Sequence, residues 1–271
     1  MRMLTKLLCV SVMLLTIGTN LVYAEKIVVE GSTTVLPVAQ KAAEVFMNNN
    51  PGADISVRGG GSCVGIASLI DGTCDIADSS RPIKDTELDK AVANGRSPKA
   101  NVVAMDGIAV IVHTSNGISA LSIKQVKDIY TGAISNWKQL GGSDAKIVVI
   151  SRDTSSGTYE AFGTLALGGA KVRADALLQA SNQAVASTVS RTTGGIGYVG
   201  LGYVSSSVKA VDVDGVRATS ETVLSGKYPI CRPLFMYTDG APKGLSKQFI
   251  DYILSPEGQK LVEEEGFVGL K

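Results

Sequence analysis

Three short segments of this sequence combine glycine, serine and threonine at points where a strand gives way to a helix. Gly31-Ser32-Thr33-Thr34 follows the β-branched run Ile27 to Val29, Gly59-Gly60-Gly61-Ser62 follows Ile55 to Val57, and Arg152-Asp153-Thr154-Ser155-Ser156-Gly157-Thr158 follows Ile147 to Ile150. Glycine lets backbone approach closely, hydroxyls suit the capping position, and the first turn of a helix leaves amide N–H groups unpaired. Such a turn can cradle an anion. One of them alone is ordinary helix capping. Three that open at the same edge of α/β sheets, one of them carrying Arg152, point to a shared ligand. The Arg152 guanidinium has the forked donor geometry that fits a tetrahedral oxyanion, and its alternative is a surface ion pair with Asp153.

The elements that must hold these turns read as alternating strands and helices. Lys26 to Val29, Asp54 to Val57, Asp75 to Ala77 and Lys146 to Ile150 are short β-branched runs bounded by Gly, Ser or Asp, as buried strands are. Ala39, Ala42, Ala43 and Phe46 predict one helix face, Ile66, Leu69 and Ile70 a second, and Leu245, Phe249, Ile250 and Ile253 another near the end. Ser122 with Gln125 reads as a capping box, and Ser255-Pro256-Glu257 as a helix start. The class is α/β. The apolar run Val102 to Val112, broken only by Asp106 and Gly107, exceeds a usual strand and can cross between two lobes, with Tyr228 to Thr238 returning the chain.

Composition excludes several functions. The 271 residues carry 26 Lys+Arg against 25 Asp+Glu, with 45% hydrophobic residues and one His. Near-neutrality without a basic block gives nucleic acid no electrostatic foothold, and a single His leaves little material for metal clusters or catalytic triads. Residues 1–24 begin with Arg2 and Lys6, run apolar from Leu7 to Ile17 and end Val22-Tyr23-Ala24. This predicts a secretory signal peptide, since the apolar core is too short to span a bilayer. Cys63, Cys74 and Cys231 then form an odd set in an exported chain. A helix from residue 63 would put Cys63 and Cys74 too far apart to bond, a Cys74–Cys231 pair is conceivable, and free thiols are the default reading.

Two further signals fail on inspection. Gly195-Ile196-Gly197-Tyr198-Val199-Gly200 matches a dinucleotide-binding pattern, but the strand-like Leu201-Gly202-Tyr203-Val204 follows in place of a helix, so it reads as a packing segment. His113 ends an apolar run and has no nucleophile turn to serve.

Taken in order, Gly31 to Pro37, the glycine-rich turn ending in Ser62, Asp75 to Arg81, Asp106 to Ala109, Asn136-Trp137, Arg152 to Thr158 and Gly197 to Tyr203 resemble the periplasmic phosphate-binding proteins of ABC importers. The resemblance covers essentially the whole mature chain. It implies a two-lobed periplasmic binding protein, type II-like, whose lobes are joined by two crossing strands: 25–105 and 228–271 form lobe I, and 106–227 lobe II. It also implies capture of inorganic phosphate between the lobes, with Ser32, Thr33, Thr34, Ser62, Arg152, Ser156, Gly157 and Thr158 as binding residues.

One departure from the family pattern stands out. Members carry a carboxylate just after the third strand that accepts the proton of hydrogen phosphate, and the aligned residue here is Ser80, with Arg81 beside it. Either Asp106 is the acceptor or selectivity is weaker. Asp78 is a lesser candidate, because strand alternation turns it away. The issue is chemical: sulfate has no proton at neutral pH, so a fixed carboxylate bonds phosphate and repels sulfate.

The expected function is therefore an extracytoplasmic solute-binding protein, not an enzyme, that needs no cofactor or metal. It would act as a monomer in the periplasm, with phosphate and the permease subunits of an inner-membrane ABC transporter as partners and no nucleic acid among them. The rival readings are another oxyanion, such as sulfate or molybdate, on the same scaffold, and a phosphate-ester hydrolase. The hydrolase would need a nucleophile with an adjacent base, or a metal cluster, that the sequence does not supply.

Overall fold

The computed structural model of the chain describes residues 25–270, and the leader expected over residues 1–24 lies outside them. Strands and helices alternate as β1 Glu25–Gly31, α1 Leu36–Asn49, β2 Ala53–Gly59, α2 Ser62–Asp71, β3 Ile76–Ser79 and α3 Asp85–Ala93. The long strand β4, Pro98–His113, leads into β5 Ala120–Leu121, α4 Ile123–Thr131, β6 Val148–Arg152, α5 Gly157–Leu165, β7 Leu177–Gln179, α6 Asn182–Ser190, β8 Gly195–Gly200 and β9 Val208–Val213. The chain finishes with α7 Ser220–Leu224, β10 Cys231–Asp239, α8 Gly244–Leu254 and α9 Pro256–Glu264.

Local chemistry sets these boundaries. In α4 the Ser122 hydroxyl accepts from the Gln125 amide at 3.1 Å while the Gln125 side chain accepts from the Ser122 amide at 2.7 Å, the capping box expected from sequence. Ser255 caps α9 through Gly258 N–H, and Pro256 sits in its first turn, where no intrahelical donor is needed. On α1, Val38, Ala39, Ala42, Ala43 and Phe46 bury one face.

The strands run in the order β2-β1-β3-β10-β4-β8-β6-β7, and β4 is the shared member. Residues 98–107 of β4 pair antiparallel with β10, whereas residues 108–113 pair with β8 and β9. Sixteen residues make a strand long enough to serve two lobes. Each lobe has its own core. Ile27, Val29, Phe46, Ile76, Leu234 and Phe249 belong to one, and Ile111, Tyr130, Trp137, Phe162, Val185 and Tyr198 to the other. The chain recrosses between Ile230, in the second core, and Leu234, in the first. This is the mixed α/β architecture of a two-lobed periplasmic binding protein.

One segment departs from expectation. Leu201–Tyr203 is a 3₁₀ turn, not a strand. β8 stops at Gly200, and the Leu201 amide leaves the ladder to donate to Asp106 at 2.9 Å. Gly197 nevertheless packs as expected, because a Cβ there would come within 2.8 Å of both Val185 and Val189. His113 ends β4, and its ring Nδ1 bonds Ser115. Cys63, Cys74 and Cys231 are free thiols.

Candidate functional site

The first turn is built on a glycine that nothing else could replace. Gly31 has φ +142°, and a Cβ on it would lie 2.2 Å from the Asp78 carbonyl oxygen. That approach lets Ser32 N–H donate to the same carbonyl at 2.8 Å, tying β1 to β3 just before α1 begins. The Ser32 hydroxyl accepts from the Thr34 amide at 3.1 Å, which leaves Thr33 and Thr34 to project their hydroxyls beyond the helix start.

The second turn folds against the first. The amides of Gly60 and Gly61 both donate to the Gly31 carbonyl, at 2.9 and 2.8 Å. Ser62 opens α2, and its buried hydroxyl accepts from the Ser80 amide at 3.0 Å and stands 3.3 Å from the Ser80 hydroxyl.

The third turn comes from the other lobe and meets both. Ser156 caps α5 by accepting from the Tyr159 amide at 3.2 Å. Gly157 follows it so closely against lobe I that a Cβ would lie 2.3 Å from Ser62 Oγ and 2.9 Å from Ser80 Oγ. Thr158 Oγ1 stands 2.9 Å from Thr34 Oγ1. Three helix starts and their hydroxyls therefore converge across the interface of the lobes, an arrangement suited to an anion.

Two guanidiniums complete the site. Arg152 is 1% exposed. Its Nε donates to the Gln179 carbonyl at 3.1 Å and its Nη2 to the Ala180 carbonyl at 2.9 Å, and among the described residues no carboxylate forms an ion pair with it. Burial pulls its pKa down, with Asp153 opposing and the charge of Arg232 adding to the shift. Arg232, also buried, donates from Nε and Nη2 to Asp106 Oδ2 at 3.1 and 2.9 Å, and from Nη1 to the Ser80 carbonyl at 2.9 Å. Its Nη2 further reaches Thr34 Oγ1 at 3.3 Å and Thr158 Oγ1 at 3.0 Å. Burial depresses the Arg232 pKa against the pull of Asp106. With Asp106 ionised the three groups carry a net single positive charge, which an anion would offset.

Two of the expected residues have partners of their own within the protein. Asp106 is fully buried with Oδ2 on Arg232 and Oδ1 on the Leu201 amide, so both oxygens already have donors. Burial raises its pKa, opposed chiefly by the Arg232 charge. This geometry makes Asp106 the holder of Arg232 rather than a free acceptor. Arg81 turns away from Ser80: its Nη1 and Nη2 donate to Glu87 at 2.8 and 2.7 Å, and its Nε lies 2.9 Å from Glu160. Those carboxylates, not the cradle, claim its guanidinium. Ser32, Thr33, Thr34, Ser62, Ser80, Ser156, Gly157 and Thr158 are brought together, while the Arg152 guanidinium bonds the Gln179 and Ala180 carbonyls just before Asn182.

Three contributors were not among the expected binding residues. Arg232 lies inside the returning strand. Asn182, at the start of α6, donates to Thr33 Oγ1 at 3.1 Å and Thr34 Oγ1 at 3.0 Å while accepting from the Gly200 amide. Tyr203 donates its phenol to the Thr33 carbonyl at 2.5 Å. A charged residue in an apolar crossing strand is the one signal that could have revealed Arg232.

The geometry has close counterparts. Residues 19–257 match the model of the PBP superfamily domain. The phosphate-binding protein PstS of Bacillus subtilis is 37% identical over 245 residues, covering 89% of this chain and 79% of its own length. That of Borreliella burgdorferi is 34% identical over 281 residues, covering 97% and 99%. Among solved structures, a substrate-binding protein ascribed to a phosphate ABC transporter of Clostridium perfringens, with bound phosphate, superposes with a TM-score of 0.85 at 38% identity over 91% of this chain and all of that one. An ABC-type phosphate transport receptor from Vibrio cholerae gives 0.75 at 32% identity, over 90% of this chain and all of its own.

Proposed function

We propose, since the chain belongs to the PstS phosphate-binding proteins of the PBP superfamily, that it captures one inorganic phosphate ion between its lobes and delivers it to an ABC importer. It is an extracytoplasmic binding protein, not an enzyme, and nothing in the cycle makes or breaks a covalent bond. The observation that carries this reading is the meeting of helix starts and hydroxyls from both lobes at Arg232, together with a second buried cation, Arg152, that has no paired carboxylate among the described residues.

Binding is coupled to closure. Open lobes admit hydrated phosphate, and the hydroxyls of Ser32, Thr33, Thr34, Ser62 and Ser80 on one side and Arg152, Ser156, Gly157 and Thr158 on the other replace its water. Only the closed form completes both half-sites, so the ion shifts the equilibrium toward closure by its differential affinity. Arg232, held by Asp106, orients Thr34 and Thr158 toward the same point. The compartment is the periplasm, reached through the leader of residues 1–24. The partners are the inner-membrane permease subunits, met by a monomer.

A second reading, another oxyanion such as sulfate or molybdate, is favoured by one feature: Asp106 has both oxygens occupied. A hydroxyl can rotate to donate or accept, so a site lined by hydroxyls tolerates guests with or without a proton. Calorimetric titration of the protein with phosphate, repeated in excess sulfate, tests both readings. Saturable one-to-one binding of phosphate that persists in sulfate is expected. Absence of phosphate binding would overturn the first reading, and its abolition by sulfate would favour the second.

A further inference from the structure

Beside the cradle, and separate from it, a second group of charges joins the lobes. Arg81 follows β3 and Lys84 caps α3, both in lobe I, whereas Glu160 lies in the first turn of α5, two residues beyond Thr158. Arg81 Nε stands 2.9 Å and Lys84 Nζ 2.7 Å from Glu160 Oε2, and the Cys63 thiol donates to Glu160 Oε1 at 3.3 Å. The Arg81 side chain is 5% exposed and that of Glu160 20%, so these charges are only partly screened.

The two halves of this contact are not equivalent. Glu87, in the same lobe as Arg81, takes both terminal nitrogens of the guanidinium and fixes it whatever the other lobe does. Glu160 rides on the helix whose start forms the cradle, so it reaches Arg81 only when Gly157 and Thr158 reach Ser62 and Thr34. One partner is ordered in advance, and docking the other costs less side-chain freedom than forming an isolated surface pair.

We propose that Glu160 is the residue that holds the lobes shut over the bound ion by gripping Arg81 and Lys84, and that it thereby governs the rate of release and not the rate of capture. This rests on the reading above, that phosphate is enclosed by closure of the lobes. Glu160 contacts no cradle hydroxyl and acts as a positioning residue.

The test is Glu160→Gln, which keeps the shape and removes the charge. Stopped-flow kinetics with inorganic phosphate should give a dissociation rate about tenfold faster, the size of one charge-assisted contact, with an association rate and a thermal midpoint close to those of the unaltered protein. An unchanged dissociation rate, or a loss confined to association, overturns the proposal. If the unaltered protein binds no phosphate, the proposed function fails and takes the grip with it, whereas phosphate bound by both proteins and released by both at the same rate overturns the grip alone.

Discussion

The hydroxyl of Thr34, at the head of α1 in one lobe, stands 2.9 Å from the hydroxyl of Thr158, in the first turn of α5 in the other. Residues 124 positions apart in the chain meet there because β4 and the return through β10 bring two separately cored lobes face to face. Oxygens gathered in this way, with Arg232 donating to both, define a point that exists only when the lobes are closed.

Gly157 approaches the other lobe too closely to carry a side chain, and its substitution should separate binding from folding. Alanine is a better helix residue than glycine, but its methyl would fall 2.3 Å from Ser62 Oγ. Gly157→Ala should leave the thermal midpoint nearly unchanged and weaken phosphate binding by about a hundredfold or more, the scale of losing several polar contacts at once. Calorimetry alongside thermal unfolding checks this, and unaltered affinity would show that closure does not depend on that contact.

The two arginines next to strand ends should differ sharply. Arg152→Ala removes a buried cation that has no carboxylate partner among the described residues, and should reduce affinity by about a hundredfold or more, as truncation of a buried charged partner does. Arg81→Ala disturbs only the charges beside the cradle, and its effect should be about tenfold or less. Titrations returning the reverse order would contradict the assignment.

Asp106→Asn should act through Arg232. Removing one partner of a buried ion pair typically costs roughly 3–5 kcal/mol, so the variant should unfold at distinctly lower denaturant concentration. The ratio of phosphate to sulfate affinity should stay close to that of the unaltered protein. A lost ratio without lost stability would make Asp106 an acceptor for the guest's proton.

Asp78 offers a pH test. It is 1% exposed, both carboxylate oxygens lack a hydrogen-bond partner among the described residues, and it lies opposite Met236 on the face of β3 that carries Ile76 into the first core. Burial alone raises its pKa well above the ordinary carboxylate value. The folded state then binds a proton that the unfolded chain has released. Stability from this group is complete below the unfolded pKa of about 4 and declines as pH rises toward the folded value, by about 1.4 kcal/mol per pH unit. Asp78→Asn, which cannot ionise, should therefore gain stability relative to the unaltered protein as pH rises from 4 to 7. Urea unfolding at several pH values would show it, and a constant difference would contradict it.

The elements and the three turns were legible because each rests on local chemistry: β-branched runs for strands, a serine or glycine at the helix start, and apolar residues at helical spacing. The two-lobed plan was legible in β4, whose apolar run is too long for one sheet. Arg232 and Asn182 were not, since their roles depend on partners 126 and 149 positions away that no local pattern specifies. Arg81 is a related case. It adjoins Ser80 in sequence, but Glu87 and Glu160, brought in by α3 and α5, claim its guanidinium. Leu201 to Val204 has the residues of a strand, yet Asp106 captures the Leu201 amide and turns the chain.

The central claim is tested most directly by a crystal structure of the protein grown with inorganic phosphate. It should show one ion with oxygens on the Arg152 guanidinium and on hydroxyls from both lobes, Thr34 and Ser62 on one side and Thr158 on the other. An ion held by a single lobe, or one bound away from Arg152, would contradict the account.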